Sequence, residues 1–436
     1  MEAVRDNPPS PTVPGAPVAF APRPSTYLRL LFGLLMTVTI FEGYDVTIFH
    51  LCTPDIARTF HMDDRAVGLM ASIVRLGGMM AFFVVMLSDR LGRKAIVNLT
   101  VLFYTLFTLF TALSQGLWSF TIFQSCAQIF LSAEFGVAMI MISEEFPDDV
   151  RGRGIAALHM VGLLGVVAGG FLYGRIADTR WGWRGMYFIG ILPLLLVAFL
   201  RRNLKETARF EALQQAAPWG GSQLSMLRQA IAPFLGPFRG RLILVAMLWN
   251  CVMLVGAPAV TFFSLYAKRD HHWTSTDIGR AVVLAYIIGT AGHWLAGWAL
   301  DRVGRKATTA TSYVLGAIAI YLLFQTSTHA AMLASMVATV FFFQGARTAT
   351  ATYSAELFPT EIRATSYSMT VQLLGQITAI FAPFIIGALS KPLGGLGNAV
   401  SVVAVGPVIG AILVMLLAPE TRGMKLEELA EVSGAD

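Results

Sequence analysis

Ser88-Asp89-Arg90-Leu91-Gly92-Arg93-Lys94 returns as Leu300-Asp301-Arg302-Val303-Gly304-Arg305-Lys306, each copy set between apolar runs long enough to cross a bilayer. A second pair keeps the same offset: Glu144 and Glu356, like Asp89 and Asp301, stand 212 positions apart. One half of the chain therefore reads as a copy of the other. A parallel duplication between apolar runs points to a two-bundle membrane transporter rather than an enzyme.

Composition agrees. Of 436 residues, 56% are hydrophobic and 13% charged, about half the charge expected of a soluble domain, and the mean hydropathy is +0.65. Such a chain cannot hide its apolar surface in a water-facing fold. At roughly 20 apolar residues per crossing, its length accommodates about 12 transmembrane helices with short connections. The net charge of +6 comes from Lys and Arg in the gaps between apolar runs, not from one basic face, which argues against nucleic acid.

The expected fold is an all-α membrane protein with 12 transmembrane helices in two pseudo-symmetric six-helix bundles. The spans are expected at 29–51, 67–87, 95–113, 118–142, 155–175, 185–200, 241–266, 280–299, 307–325, 330–352, 365–388 and 397–418. The division is a cytoplasmic tail over 1–28, a first bundle over 29–200, a linker over 201–240, a second bundle over 241–418 and a tail over 419–436. The Pro/Ala-rich first tail lacks a signal-peptide apolar core and reads as disordered. Gly and Pro inside spans, such as Pro258 and Pro383, are tolerated in transmembrane helices.

Basic residues mark alternate loops: Arg90, Arg93 and Lys94; Arg151 and Arg153; Arg201, Arg202 and Lys205; Arg302, Arg305 and Lys306. The positive-inside rule then puts both termini in the cytoplasm of a bacterial-type inner membrane. Cys52, Cys126 and Cys251 form no CxxC pair or zinc spacing, and the adjacent His271 and His272 are not a metal site by themselves. No phosphate-binding loop, Gly-x-Ser-x-Gly turn or His-Glu-x-x-His helix occurs, so neither a cofactor nor an enzyme activity is expected.

On these motifs the chain resembles the major facilitator superfamily, in particular its metabolite and sugar proton symporters. That family carries Gly-x-x-x-Asp-Arg-x-Gly-Arg-Arg/Lys between helices 2 and 3. The second copy matches in full as Gly297, Asp301, Arg302, Gly304, Arg305 and Lys306; the first has Val85 at the leading Gly. Glu144-Glu145-Phe146-Pro147 with Arg151 pairs with Glu356-Leu357-Phe358-Pro359 and Arg363, and Glu206-Thr207 looks like an eroded copy of Pro419-Glu420-Thr421. The resemblance implies gating: Asp89 or Asp301 caps a helix or accepts hydrogen bonds from it, while neighbouring arginines bridge to Glu144 or Glu356 when the cytoplasmic side is closed.

Buried charge is the functional signal. Glu42 and Asp45, three apart in span 1, share a helix face. They resemble the Asp-Gly-Tyr/Phe-Asp pattern of aromatic-acid and related organic-acid symporters, as Glu42-Gly43-Tyr44-Asp45. With Glu134 in span 4 they are the candidate proton-coupling residues. The related metabolite symporters carry Arg ten residues before that Glu; here it is Gln124.

Arg75 and Arg347 put positive charge in apolar spans, and a carboxylate is their simplest shared partner, because Arg presents a fixed bidentate fork to that shape. Tyr44, Gln124, Asn250, Gln344, Gln372 and Gln376 complete the candidate substrate contacts, with Gln372 and Gln376 expected on one face. The expected activity is proton-coupled uptake of a small organic anion by alternating access, with lipid and the proton as the other partners and a monomer sufficient. A sugar or polyol symporter and a metabolite exporter are the alternatives.

Overall fold

The computed structural model describes residues 25–146, 148–200, 205–207, 210–211, 238–358, 366–367 and 369–422. Residues 1–24 and 423–436 of the expected tails, most of the 201–240 linker and Arg363 lie outside them, as do the side chains of Arg151 and Gln372.

The first half is six helices: α1 (Ser25–Thr59), α2 (Asp64–Leu91), α3 (Arg93–Leu113), α4 (Leu117–Glu145), α5 (Asp148–Ile176) and α6 (Gly182–Leu200). The second half comprises α7 (Arg239–Arg269), α8 (Ser275–Gly289), α9 (Ala291–Arg302), α10 (Arg305–Gln325), α11 (His329–Glu356), α12 (Ile377–Ser390), α13 (Leu396–Val403) and α14 (Val405–Leu417). Local chemistry sets the ends. Asp63 caps α2, its carboxylate accepting the Ala66 N–H at 2.8 Å, and Thr274 with Asp277 forms a capping box on α8. The packing repeats: α3 lies on α4 and α6, as α10 lies on α11 and α14.

Ten helices among the described residues are long and apolar enough to cross a membrane, against the twelve expected. Side chains such as Phe83, Trp118, Trp294 and Leu416 stand exposed around the perimeter, an apolar surface suited to lipid.

Three expected spans are interrupted. The eighth divides into α8 and α9 at Thr290, and the twelfth into α13 and α14 at Ala404. The eleventh enters as a π turn, Met369–Leu373, and a 3-10 turn, Leu374–Gln376, before α12 begins. The regular spacing that would align Gln372 with Gln376 therefore does not hold there. Asn250 fastens this break, its amide donating to the Leu374 carbonyl at 2.8 Å and accepting the Thr378 N–H at 2.7 Å.

The hydrophobic core shows where the halves meet. Its largest cluster joins Ile48, Cys52, Met70 and Tyr173 of the first half to Phe262, Ile278 and Ile386 of the second. Toward the end bearing the repeated motifs, the clusters separate: Leu31, Ile96 and Met141 pack in the first half, Leu242, Tyr353 and Leu357 in the second. The halves are thus sealed at the end opposite the motifs. There α8 lies directly on α5, where a Cβ on Gly279 would fall 2.2 Å from the Gly170 carbonyl oxygen, so no larger residue fits.

Candidate transport site and its gates

At the motif end, each half builds the same assembly. Gly92 and Gly304 turn the chain at φ 93° and 119°, a left-handed geometry that favours glycine, and expose the first N–H groups of α3 and α10. Glu206 accepts Arg93 N–H at 2.8 Å and Lys94 N–H at 3.2 Å; Glu420 accepts Arg305 N–H at 2.9 Å and Lys306 N–H at 3.1 Å. The helix caps are therefore Glu206 and Glu420, not Asp89 and Asp301. A carboxylate placed there also meets the positive end of the helix dipole. Desolvation opposes ionisation of Glu420, but the N–H donors of Arg305, Lys306 and Arg422 and the Arg305 charge outweigh it and hold its carboxyl below the usual range.

Arg93 forks onto Glu144 at 2.9 and 3.2 Å and Arg305 onto Glu356 at 2.9 and 3.3 Å. Thr207 and Thr421 donate their hydroxyls to those same glutamates, and Asp89 and Asp301 flank the arginines at 3.0 and 3.4 Å. These pairs lie within a half and are made while the opposite end is shut. Arg90 stands exposed at the end of α2, and Arg302 stacks on Trp298.

Val85, at the position of the motif glycine, packs against Gly136, where a Cβ would come within 2.9 Å of it; Gly297 has open space around it. The close helix approach in the first copy is thus supplied by the glycine of the facing helix.

Between described residues, the hydrogen bonds and ion pairs that join the halves run from the centre to the opposite end, and none lies at the motif end. Lys268 reaches Asp55 at 2.9 Å and Ser275 at 2.8 Å, Tyr173 donates to Asp55 at 2.9 Å, and Ser275 donates to Asp178 at 2.9 Å. Arg269 and Ser390 converge on Asp64. Sequence alone did not single out this latch, because its carboxylates and cations are distant in the chain and look like ordinary loop charges.

Between the two ends, a small pocket of about 30 Å³, room for a water or two, lies between α1 and helices α7, α8 and α11. Its walls are mostly apolar, with Val46, Leu51, Phe263 and Met336, and its polar groups are His50, Ser264 and Tyr286. Tyr286 lies within electrostatic reach of both Arg75, from the first half, and Arg347, from the second. Arg75 donates to Thr261 at 3.2 Å while its Nε is buried without a hydrogen-bond partner. Arg347 is exposed beside Tyr286 and Tyr367 and over the Phe343 ring at 5.7 Å, so its guanidinium meets the central opening rather than lipid. His50 is 7% exposed, with Nδ1 unpartnered. It was missed in the sequence because one histidine in an apolar span carries no pattern.

Other candidates are committed elsewhere. Tyr44 donates to the Met186 carbonyl at 2.8 Å, tying α1 to α6; Asn250 holds the eleventh-span break; Gln376 donates to the Val371 carbonyl at 3.0 Å. Gln344 keeps a buried, unpartnered Oε1. Gln124 lies inside the first half against Asp45, and Tyr104 faces the same carboxylate. Asp45 is fully buried, whereas Glu42 is half-buried. Glu134 is 1% exposed in α4.

A two-half helical membrane fold, sealed at one end around a central pocket with charges contributed by both halves, defines a transporter of the alternating-access class. The chain belongs to the Major Facilitator Superfamily, whose profile matches residues 35–298 and 251–432, and it is a multi-pass membrane transporter rather than an enzyme.

It is similar to a putative metabolite transport protein of Haemophilus influenzae, at 25% identity over 88% of this chain and 95% of that one. The putative niacin/nicotinamide transporter of Bacillus subtilis is 24% identical over 92% and 98%. The gallate transporter of Pseudomonas putida is 27% identical over 85% and 87%. A bacterial homologue of the human lysosomal transporter Spinster, solved in an inward-facing and occupied conformation, has the same fold, with a TM-score of 0.76 at 17% identity over 90% of this chain and 97% of that one.

Proposed function

We propose that the protein is a proton-coupled symporter that takes up a small organic acid, with an aromatic acid as the leading class, across a bacterial-type inner membrane. Twelve spans form two six-helix bundles, 29–200 and 241–418, joined by a linker over 201–240, and the motif end with both termini faces the cytoplasm. In that orientation the conformation is inward-facing. The observation that carries the reading is that Arg75 and Arg347, one from each half, both lie within electrostatic reach of Tyr286 in the wall of a largely apolar pocket. A carboxylate between two guanidinium groups draws the halves together, and the apolar lining suits a ring once the slot widens on binding.

Gallate, the solute named for one relative, is a ring carboxylate, as is niacin, which is named together with the neutral nicotinamide for another. Asp45, Glu42 and Glu134 supply the protonation sites, and loading them from the more acidic outer face drives accumulation. Two of the candidate amides, Asn250 and Gln376, are already engaged with backbone, which leaves fewer groups for a neutral polyol. The test is uptake by proteoliposomes of labelled gallate, niacin, benzoate, 4-hydroxybenzoate and xylose, with and without an inward proton gradient. Gradient-driven accumulation of an acid is expected; accumulation of xylose alone overturns the reading.

A further inference from the structure

We propose that Tyr104 is the proton link between Asp45 and Glu134. The inference rests on the coupling roles assigned to those carboxylates above, and it names how they communicate. Inside the first half, Asp45 of α1, Tyr104 of α3, and Gln124 and Glu134 of α4 are each no more than 1% exposed. Both Asp45 oxygens, the Tyr104 hydroxyl and both Gln124 amide atoms have no hydrogen-bond partner. Leaving such groups unpaired costs about 1–3 kcal/mol each, so their gathering in one place calls for a function or for bound water.

The placement selects Tyr104. Its phenol faces the Asp45 carboxylate and Thr108, and it is the side chain of this cluster that lies within electrostatic reach of both Asp45 and Glu134. The other titratable groups facing Asp45 are Tyr44 and Cys52 on its own helix and Tyr187 on α6. Among the described residues no ion pair reaches Asp45. Gln124 marks the level of Asp45 on α4, and Glu134, ten residues further along that helix, lies about 15 Å nearer the motif end.

A proton leaving Asp45 toward the cytoplasm therefore passes the phenol. Protonated Asp45 gives its proton to Tyr104 Oη as the Tyr104 O–H bond breaks, and the released proton crosses through water to the Glu134 carboxylate. One O–H bond forms for each that breaks, and Tyr104 ends neutral.

The experiment uses the full chain in proteoliposomes, with whichever of gallate, niacin, benzoate and 4-hydroxybenzoate the wild type accumulates. Gradient-driven accumulation is compared with counterflow at equal pH, which needs no net proton movement. Tyr104→Phe is expected to lower accumulation at least tenfold while counterflow stays within twofold, and Tyr187→Phe, whose phenol faces Asp45 but not Glu134, to preserve both. Equal loss of both activities in Tyr104→Phe, or undiminished accumulation, overturns the link. Should that variant not fold, Tyr104→His, which keeps a proton-carrying ring, is read in its place: retained accumulation supports the link, and its loss with counterflow intact or lost overturns it. Asp45→Asn is the separate control, since undiminished gradient-driven accumulation there removes the underlying coupling reading whatever Tyr104 does, as does a wild type that accumulates none of the four acids.

Discussion

Lys268 Nζ of the second half sits 2.9 Å from Asp55 Oδ1 of the first, and the Asp55 side chain is only 5% exposed. A pair this buried is held shut by the cost of separating it. Removing one partner of such a pair costs about 3–5 kcal/mol, enough to move a two-state equilibrium by roughly a hundredfold or more. Asp55→Asn is therefore expected to open the end opposite the motifs. Spin labels on Arg180→Cys and Lys391→Cys, exposed on different halves, should move apart in that variant; unchanged distances would show that the apolar seal around Phe262 and Ile386 suffices alone.

The Arg93–Glu144 fork makes the opposite kind of prediction. Both side chains are at least nine-tenths buried and both belong to the first half, so Glu144→Gln removes the charged fork and leaves the buried guanidinium to Asp89, without touching the interface between halves. A loss of about 1–3 kcal/mol in stability is expected, read as a lower Tm in detergent, with the same spin-label distances preserved. Altered distances with an unchanged Tm would make the pair a gate between halves.

Glu420 gives the acid limb of stability. Its carboxyl is held below the usual range in the folded state, so the folded protein releases this proton more readily than the unfolded chain. The resulting stabilisation is complete above the unfolded carboxylate pKa and fades as the pH falls through the depressed folded value. Glu420→Gln should cost about 1 kcal/mol at neutral pH, the worth of a helix cap, and should flatten the decline of Tm on acidification. An acid limb identical to that of the wild type would show that the other carboxylates set it.

The duplicated motifs could be read from sequence because they combine rare residue types at fixed spacing, and they located both motif-end assemblies. The role of Glu206 was hidden: its resemblance to Glu420 was visible, but capping depends on Glu206 lying against the first N–H groups of α3, more than a hundred residues earlier in the chain. Span positions followed hydropathy, whereas the breaks at Thr290 and Gln376 follow tertiary contacts. The Gly292 position against the Phe341 carbonyl oxygen and the Asn250 clamp leave no local pattern in the sequence. In the centre, the arginines stood out as charges in apolar runs, while Tyr44 and Asn250 looked equally available and proved to be engaged with backbone. Polar side chains in a span bond to whatever backbone is nearest, and only packing decides which remain open.

His50 and Arg347 divide recognition in a way that kinetics can separate. Arg347 presents its charge to the opening, so Arg347→Gln removes a charge-assisted contact to the carboxylate, worth about 2–5 kcal/mol, and should raise KM at least tenfold for every acid carried. His50 lies in the pocket wall beside Ser264 and Tyr286, where an imidazole can hydrogen-bond a ring substituent but adds little to binding of an unsubstituted ring. His50→Ala should therefore weaken hydroxylated acids such as 4-hydroxybenzoate about tenfold, the loss expected of a hydrogen bond the site was built to make, while benzoate changes little. Competition of the two acids against one labelled substrate reads the difference directly. Equal losses for both would place the imidazole in packing rather than in selection, and loss of hydroxylated-acid selectivity in Arg347→Gln alone would assign the discrimination to the guanidinium.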